Sequence, residues 1–187
     1  MRVRLSLAGA LCACACATPM AEQHPTLANI QLLRTAEMPS FALGDFHLAP
    51  GLPARIDHSV SVRADSLTAP GDGSFAHYLR STLETELRGA GKLDPASSIA
   101  INGELTQSAI GSDPSAGHGL LGARFRVVRG DHVLYEKELI ATDTWPSDWI
   151  GAVAIPLAED RYTALYPKLV TNLLSDPEFR AAVRAGG

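Results

Sequence analysis

All three cysteines of this 187-residue chain stand close together, at positions 12, 14 and 16. That placement limits what the rest of the chain can become. Beyond residue 16 there is no disulfide to staple a core, no thiolate metal site and no cysteine nucleophile. The cysteines follow Arg2, Arg4 and a run of apolar and small residues from Leu5 to Leu11. Such a run is too short to span a bilayer as a helix and suits the h-region of a secretory signal. The chain is therefore expected to leave the cytoplasm and to fold by hydrophobic burial alone.

Within that signal, Leu11-Cys12-Ala13-Cys14 places a leucine three residues before a cysteine and a small residue just before it. This resembles the lipobox of bacterial lipoproteins. The resemblance implies diacylation of the cysteine sulfur, cleavage before it and acylation of the new amino terminus. Cys14 is the expected site, and Cys16, preceded by Ala15, is the alternative. Cys12 has the bulky Leu11 before it. An ordinary secretory signal with incidental cysteines is the competing reading. Two or three acyl chains hold a protein stably where one binds marginally. Alanine, not aspartate, follows either cysteine, which in lipoproteins of this kind implies the outer membrane, with the domain facing the periplasm.

The expected organisation is a signal peptide over 1–13, a flexible tether over 14–38 and a single globular domain over 39–187. The tether reading rests on Pro19, Pro25 and scattered polar residues without a sustained period, closed by Pro39. The length suits one core and is short for two. Hydrophobic content of 46% and charged content of 19% are ordinary for a globular chain. A net charge of −4 with no Lys/Arg cluster argues against nucleic acid and against electrostatic binding to anionic lipid.

Apolar alternation predicts strands over Phe41–Leu48 and Val60–Ala64. Ser74 is a helix N-cap, and Phe75, Tyr78, Leu79, Leu83 and Leu87 recur at three and four, with Gly89 or Gly91 as the stop. Three antiparallel strands follow. Ile99, Ile101 and Leu105 share one face and Leu121, Ala123, Phe125 and Val127 another; Gly130-Asp131 turns into the strand holding Tyr135. Glu136 and Glu138 are expected across from Arg124 and Arg126, and Gly111–Gly119 as a long flexible connection. A second amphipathic helix runs from about Ala158 to Ser175 with Pro167 kinking or restarting it, and Asp176-Pro177 starts a short final one. The fold class is α+β: an antiparallel sheet of about five strands packed on one side by two amphipathic helices.

Trp145 to Pro156 holds both tryptophans, carries a proline at or next to each end, Pro146 and Pro156, and reads as an apolar loop. It is either folded under the domain or displayed for a partner or lipid, which makes Trp145, Trp149 and Ile150 the candidate contact residues. Other motifs carry little chemistry. Gly117-His118-Gly119-Leu120-Leu121-Gly122 matches a dinucleotide fingerprint but leads into a strand, so no helix N-terminus receives a phosphate. Six histidines show no HxH or HExxH spacing and Asp57-His58-Ser59 is mere adjacency. No metal, cofactor or catalytic residue is expected.

The order of elements behind the lipobox, with Ser74–Leu79 opening the first helix, the Ile99–Leu105 strand, Tyr162–Leu174 and the Asp176–Phe179 close, resembles small periplasmic lipoproteins that act as auxiliary components of ABC-type envelope transport or of outer-membrane assembly. The resemblance implies a non-enzymatic module that is anchored in a membrane by lipid and meets an envelope protein complex or a lipid. The alternative is a periplasmic hydrolase in which a cleft joins His58, His118 or His132 to a carboxylate.

Overall fold

A computed structural model describes residues 17–63, 65–113, 115–147 and 150–184. In chain order the elements are β1 (Ala17–Pro19), α1 (Leu27–Thr35), β2 (Ala42–Leu48), α2 (Arg55–His58), β3 (Val60–Val62), β4 (Asp65–Thr68) and α3 (Phe75–Ala90). Then come β5 (Ile99–Ser112), β6 (Ala116–Arg129), β7 (His132–Pro146), α4 (Gly151–Thr163), α5 (Leu165–Ser175) and α6 (Pro177–Arg184). Among the described residues, no helix is long and apolar enough to cross a membrane.

The strands form two sheets, not the single antiparallel one expected. A four-stranded sheet has the order β2-β5-β6-β7 and a three-stranded one the order β1-β4-β3. β5, β6 and β7 make the expected antiparallel meander, with Gly130 at φ +54 in its tight turn. β2, however, joins β5 in parallel. A parallel neighbour needs a crossover, and α3 lies in the connection that supplies it. β3 cannot join this sheet as a fifth strand because both it and β1 pair with β4.

The core lies between one face of the large sheet and the helices. Ile99, Ile101, Leu105, Leu121, Ala123, Phe125 and Val127 are buried on the sheet, against Leu79, Leu83 and Leu87 of α3 and Leu169, Val170 and Leu173 of α5. The other face is polar. Arg124 stands opposite Glu138 and Arg126 opposite Glu136 as expected. Arg126 pairs with Glu136 at 3.5 Å, while Arg124 turns to Glu104 of β5 at 3.0 Å. Exposed pairs of this kind are worth only about 0.2–1 kcal/mol each and mainly fix register. At the β7 edge, Lys168 Nζ donates to the Thr142 carbonyl at 2.6 Å and Asn172 Nδ2 to that of Ile140 at 3.0 Å. Two α5 side chains thereby close an edge that could otherwise template further strands.

α3 begins and ends where expected. Ser74 Oγ accepts from the His77 amide at 3.1 Å, and Gly91 takes the left-handed conformation at φ 72. The buried Asp57 on α2 reinforces the start by accepting from Ser74 Oγ and the Ala76 amide, both at 2.8 Å. Its carboxylate sits where the helix dipole favours negative charge.

The expected tether is folded from Ala17 onward. β1 pairs with β4, and α1 docks on α3 and α5. Leu33 is completely buried, as are Met38 and, nearly so, Met20. Thr26 caps α1 by accepting from the Asn29 amide. The buried Asn29 then donates from Nδ2 to Glu86 Oε1 of α3 at 2.9 Å and accepts from Thr171 Oγ1 of α5 at 2.7 Å. Glu86 also accepts from the Thr26 amide at 2.8 Å. A short helix with two apolar anchors and one polar tie has too weak a period to declare itself. Its order comes from the surface it docks on.

The C-terminal helix is divided in two. α4 starts at Gly151, earlier than expected, and contains Pro156; the break at Ala164 puts Pro167 in the first turn of α5, where a missing amide is tolerated. Asp176 caps α6 as expected, accepting from the amides of Glu178 at 2.8 Å and Phe179 at 3.1 Å. Lys137 Nζ bridges Asp176 and Glu178, at 2.9 Å to each.

Candidate functional site

One end of the molecule gathers most of the features singled out in the sequence. Trp145, near the end of β7, is 4% exposed and belongs to the core, which is the folded-under one of the two readings its sequence context left open. Its ring lies across β6. A Cβ added at Gly117 would sit 2.3 Å from Trp145 Nε1, and one at Gly119 would sit 3.3 Å from Cζ3. Gly117 and Gly119 of the fingerprint-like run are therefore the floor on which a tryptophan lies, and the run sits inside a strand and not in a mobile loop. The expected long connection over Gly111–Gly119 is likewise absent. β5 and β6 continue to Ser112 and from Ala116, leaving a tight turn in which Asp113 Oδ1 accepts from the Ser115 and Ala116 amides, both at 2.8 Å.

Beside Trp145 a small cleft of about 90 Å³ lies among Val62, Arg63, Ile110, Gly117, Ala154 and Ala158. It joins three elements: the end of β3, the end of the β5–β6 hairpin and the inner face of α4. Arg63, at φ 56 in the turn after β3, donates from Nη2 to Ser147 Oγ at 3.3 Å. The volume falls below the roughly 300 Å³ at which pockets begin to hold organic ligands. This is a seam between elements, with no room for a substrate.

Of the remaining candidates, Ile150 is 63% exposed just ahead of α4. Trp149, Cys14 and Cys16 lie outside the described residues. The sequence reading missed Val153, which is 51% exposed on the outer face of α4 beside the exposed Ala152 and Pro156. A signal was present: from Ile150 to Ala158 no side chain carries a charge or a hydrogen-bonding group. Taking Pro156 as the boundary of a loop hid its helical spacing.

Three histidines stand near aspartates. His118 Nε2 is 3.1 Å from Asp113 Oδ2 and its Nδ1 is 3.4 Å from Thr144 Oγ1. His77 reaches Asp72 at 2.5 Å, and His58 lies 4.0 Å from Asp57. The first set resembles a hydroxyl–imidazole–carboxylate relay in composition, but both the imidazole and the carboxylate are half exposed at the hairpin end. The His118 contact, with the hydroxyl and amide of Ser115 and the Ala116 amide, holds the Asp113 carboxyl well below the usual carboxylate range. That carboxylate closes a turn. The buried tyrosines are equally unsuited to proton transfer. Burial pushes the Tyr162 phenol up to about 12, beside Ser108 Oγ at 2.7 Å and Tyr166 Oη at 3.2 Å. Among the described residues, no three His, Cys, Asp or Glu side chains group as metal ligands.

The uncovered face of the large sheet has a shallow depression of about 430 Å³ floored by Asp45, His47, Glu104, Arg124, Arg126 and Glu136. Its arginines are already paired across strands.

No protein-family model matches the chain, and no curated protein matches it. Among solved structures it is similar to a Xanthomonas campestris protein assigned to the DUF330 family, with a TM-score of 0.52 and 11% identity over 85% of this chain and 95% of that one. A candidate lipoprotein of Caulobacter crescentus CB15 aligns with a TM-score of 0.43 and 9% identity, over 59% of this chain and 83% of that one. The hypothetical protein CT253 of Chlamydia trachomatis aligns with a TM-score of 0.43 and 10% identity, over 74% and 98%. At such identities only the fold is shared, and only the first TM-score is high enough to establish that: this chain folds like the Xanthomonas protein.

Proposed function

We propose that this chain is a lipid-anchored, non-catalytic interaction module of the bacterial envelope, acylated at Cys14 or, alternatively, at Cys16. It stands on the periplasmic face of the outer membrane and serves a transport or outer-membrane assembly complex as an accessory subunit. The observation that carries this reading is the lipobox Leu11-Cys12-Ala13-Cys14 directly ahead of a folded domain that begins at Ala17. The likeness in fold to a DUF330 protein is compatible with it. So is the make-up of the surface, which offers an open polar sheet face whose arginines are paired across strands and an exposed apolar helix start.

Two measurements test the reading. Mass spectrometry of the amino-terminal peptide from envelope-grown protein should find acylation on Cys14 or Cys16 and cleavage just before it. Crosslinking in the intact envelope should then capture a defined protein partner. An unmodified amino terminus would sink the anchor. Hydrolysis of an ester or peptide substrate that is abolished by His118→Ala would sink the non-catalytic assignment in favour of the hydrolase.

A further inference from the structure

The start of α4 is the part of the surface least suited to water. A helix lying on a domain normally turns polar residues outward. Here Ile150, Ala152, Val153 and Pro156 are exposed, while Ala154 and Ala158 face the cleft. Polar character returns only at Glu159-Asp160-Arg161. The apolar face therefore covers the first two turns and stops.

Its position relative to the amino terminus gives that face an occupant. β1 enters the small sheet at Ala17, level with Ser66 of β4 and, one strand further, Ser61 of β3. Ser61, Val62 and Arg63 line the cleft with Ala154, and Arg63 bonds to Ser147 just ahead of α4. Two strand spacings separate Ala17 from Ser61, about 10 Å. Three residues separate Cys14 from Ala17, a reach of at most about 11 Å. An acyl chain at Cys14 or Cys16 thus enters the bilayer within a few nanometres of the exposed apolar turns, at the same end of the domain.

We infer that the first two turns of α4 are a second membrane contact, with Ile150, Val153 and Pro156 dipping into the lipid interface beside the acyl anchor. This rests on the anchor proposed above. No lysine or arginine occurs from Ile150 to Ala158, so the contact is apolar and insensitive to salt and to anionic lipid. The opposite end of the long strands, the Gly130-Asp131 turn, points away by about 45 Å, the length of a fourteen-residue strand. Shallow insertion would hold that turn and the sheet towards the periplasm.

The test uses the native lipoprotein carrying Val153→Cys or, as control, Asp131→Cys, with whichever of Cys14 and Cys16 is not acylated replaced by serine. Each is labelled with a fluorophore and reconstituted in phosphatidylcholine vesicles containing chain-brominated lipid. Quenching at Val153 should exceed that at Asp131 by at least about twofold, unchanged in high salt, since interfacial helices sit roughly 5–10 Å deep. Acylated protein in which both labels are equally unquenched overturns the inference while leaving the anchor intact. A Val153 label shielded only when envelope protein is added also overturns it, in favour of a protein partner. An amino terminus without acyl chains removes the anchor and this inference with it.

Discussion

Replacing Leu33 by alanine distinguishes a docked α1 from a tether by several kilocalories. Leu33 is completely buried in the core, whereas Leu27, six residues earlier on the same helix, is 70% exposed. Removing a buried leucine side chain costs about 2–5 kcal/mol, the transfer free energy plus a cavity. An exposed substitution stays within about 0.5 kcal/mol. With a urea m-value of about 2 kcal/mol/M, Leu33→Ala should lower the unfolding midpoint by about 1–2.5 M and Leu27→Ala by under about 0.3 M. The assay is equilibrium urea unfolding followed by circular dichroism, on the chain freed of its signal segment. Two internal checks sharpen it. Glu86→Ala should be comparably harmful, because it takes the acceptor from the Thr26 N–H and from one Asn29 Nδ2 hydrogen, the Pro167 carbonyl at 3.3 Å remaining for the other, about 1–3 kcal/mol for each unmet donor. Glu86→Gln, which keeps one acceptor, should fall between. Equal midpoints for Leu33→Ala and Leu27→Ala would refute the docking of α1 and restore the tether.

Gly117→Ala should cost about 1–3 kcal/mol by driving a methyl group into the Trp145 ring, and differential scanning calorimetry would read it as a lowered melting temperature. Trp145→Ala should cost about 3–5 kcal/mol by the same assay; a neutral result would mean that the ring is displayed and not buried. Acid should weaken the α6 attachment. Burial works against the Asp176 carboxylate, but the Lys137 ammonium and the amides of Phe179 and Glu178 outweigh it and hold its pKa below the ordinary value. The pair's contribution is therefore complete above about pH 4, the unfolded value, and fades as pH falls through the lower folded one. Asp176→Asn keeps the cap but should lose about 1–2 kcal/mol at pH 7 and progressively less as the pH is taken below about 4, measured by urea midpoints across that range.

The elements legible in the sequence are those whose own residues fix them. Ser74, the Phe75–Leu87 stripe and Gly91 specify α3 without outside help, and Gly130-Asp131 with the alternation on either side specifies the β6–β7 hairpin. What stayed hidden is what partners decide. β2 reads as a strand but not as a parallel one, because its neighbour lies some fifty residues further along. α1 owes its order to Glu86 and Thr171 on two distant helices. For Trp145 the sequence left burial and display both open, since its burial depends on the missing side chains of Gly117 and Gly119 across a hairpin. In the proposed contact region, Ile150 was legible by its apolar company and Val153 was lost by reading Pro156 as an end. A proline six residues into a helix removes one backbone hydrogen bond and leaves the remaining turns intact when the helix is held by packing, here through Ala154 and Ala158.

The folding of residues 17–38 alters what an acyl anchor could do. A flexible tether from residue 14 to residue 38 would have a root-mean-square span of roughly 27 Å, enough for the domain to stand off the bilayer and tumble. With β1 starting at Ala17, an anchor at Cys14 leaves at most about 11 Å and one at Cys16 about 4 Å. Over those distances the domain has no freedom to search the periplasm. Its orientation would be set by whichever face adjoins β1, and any partner must come to the membrane to meet it. Inserting a flexible Gly/Ser segment between Cys16 and Ala17 separates the two possibilities. If orientation matters, about twenty added residues should abolish crosslinking to the native envelope partner while leaving acylation and the urea midpoint unchanged. If crosslinking survives the insertion, the anchor serves only to localise the domain, and the closeness of β1 to Cys14 carries no functional weight.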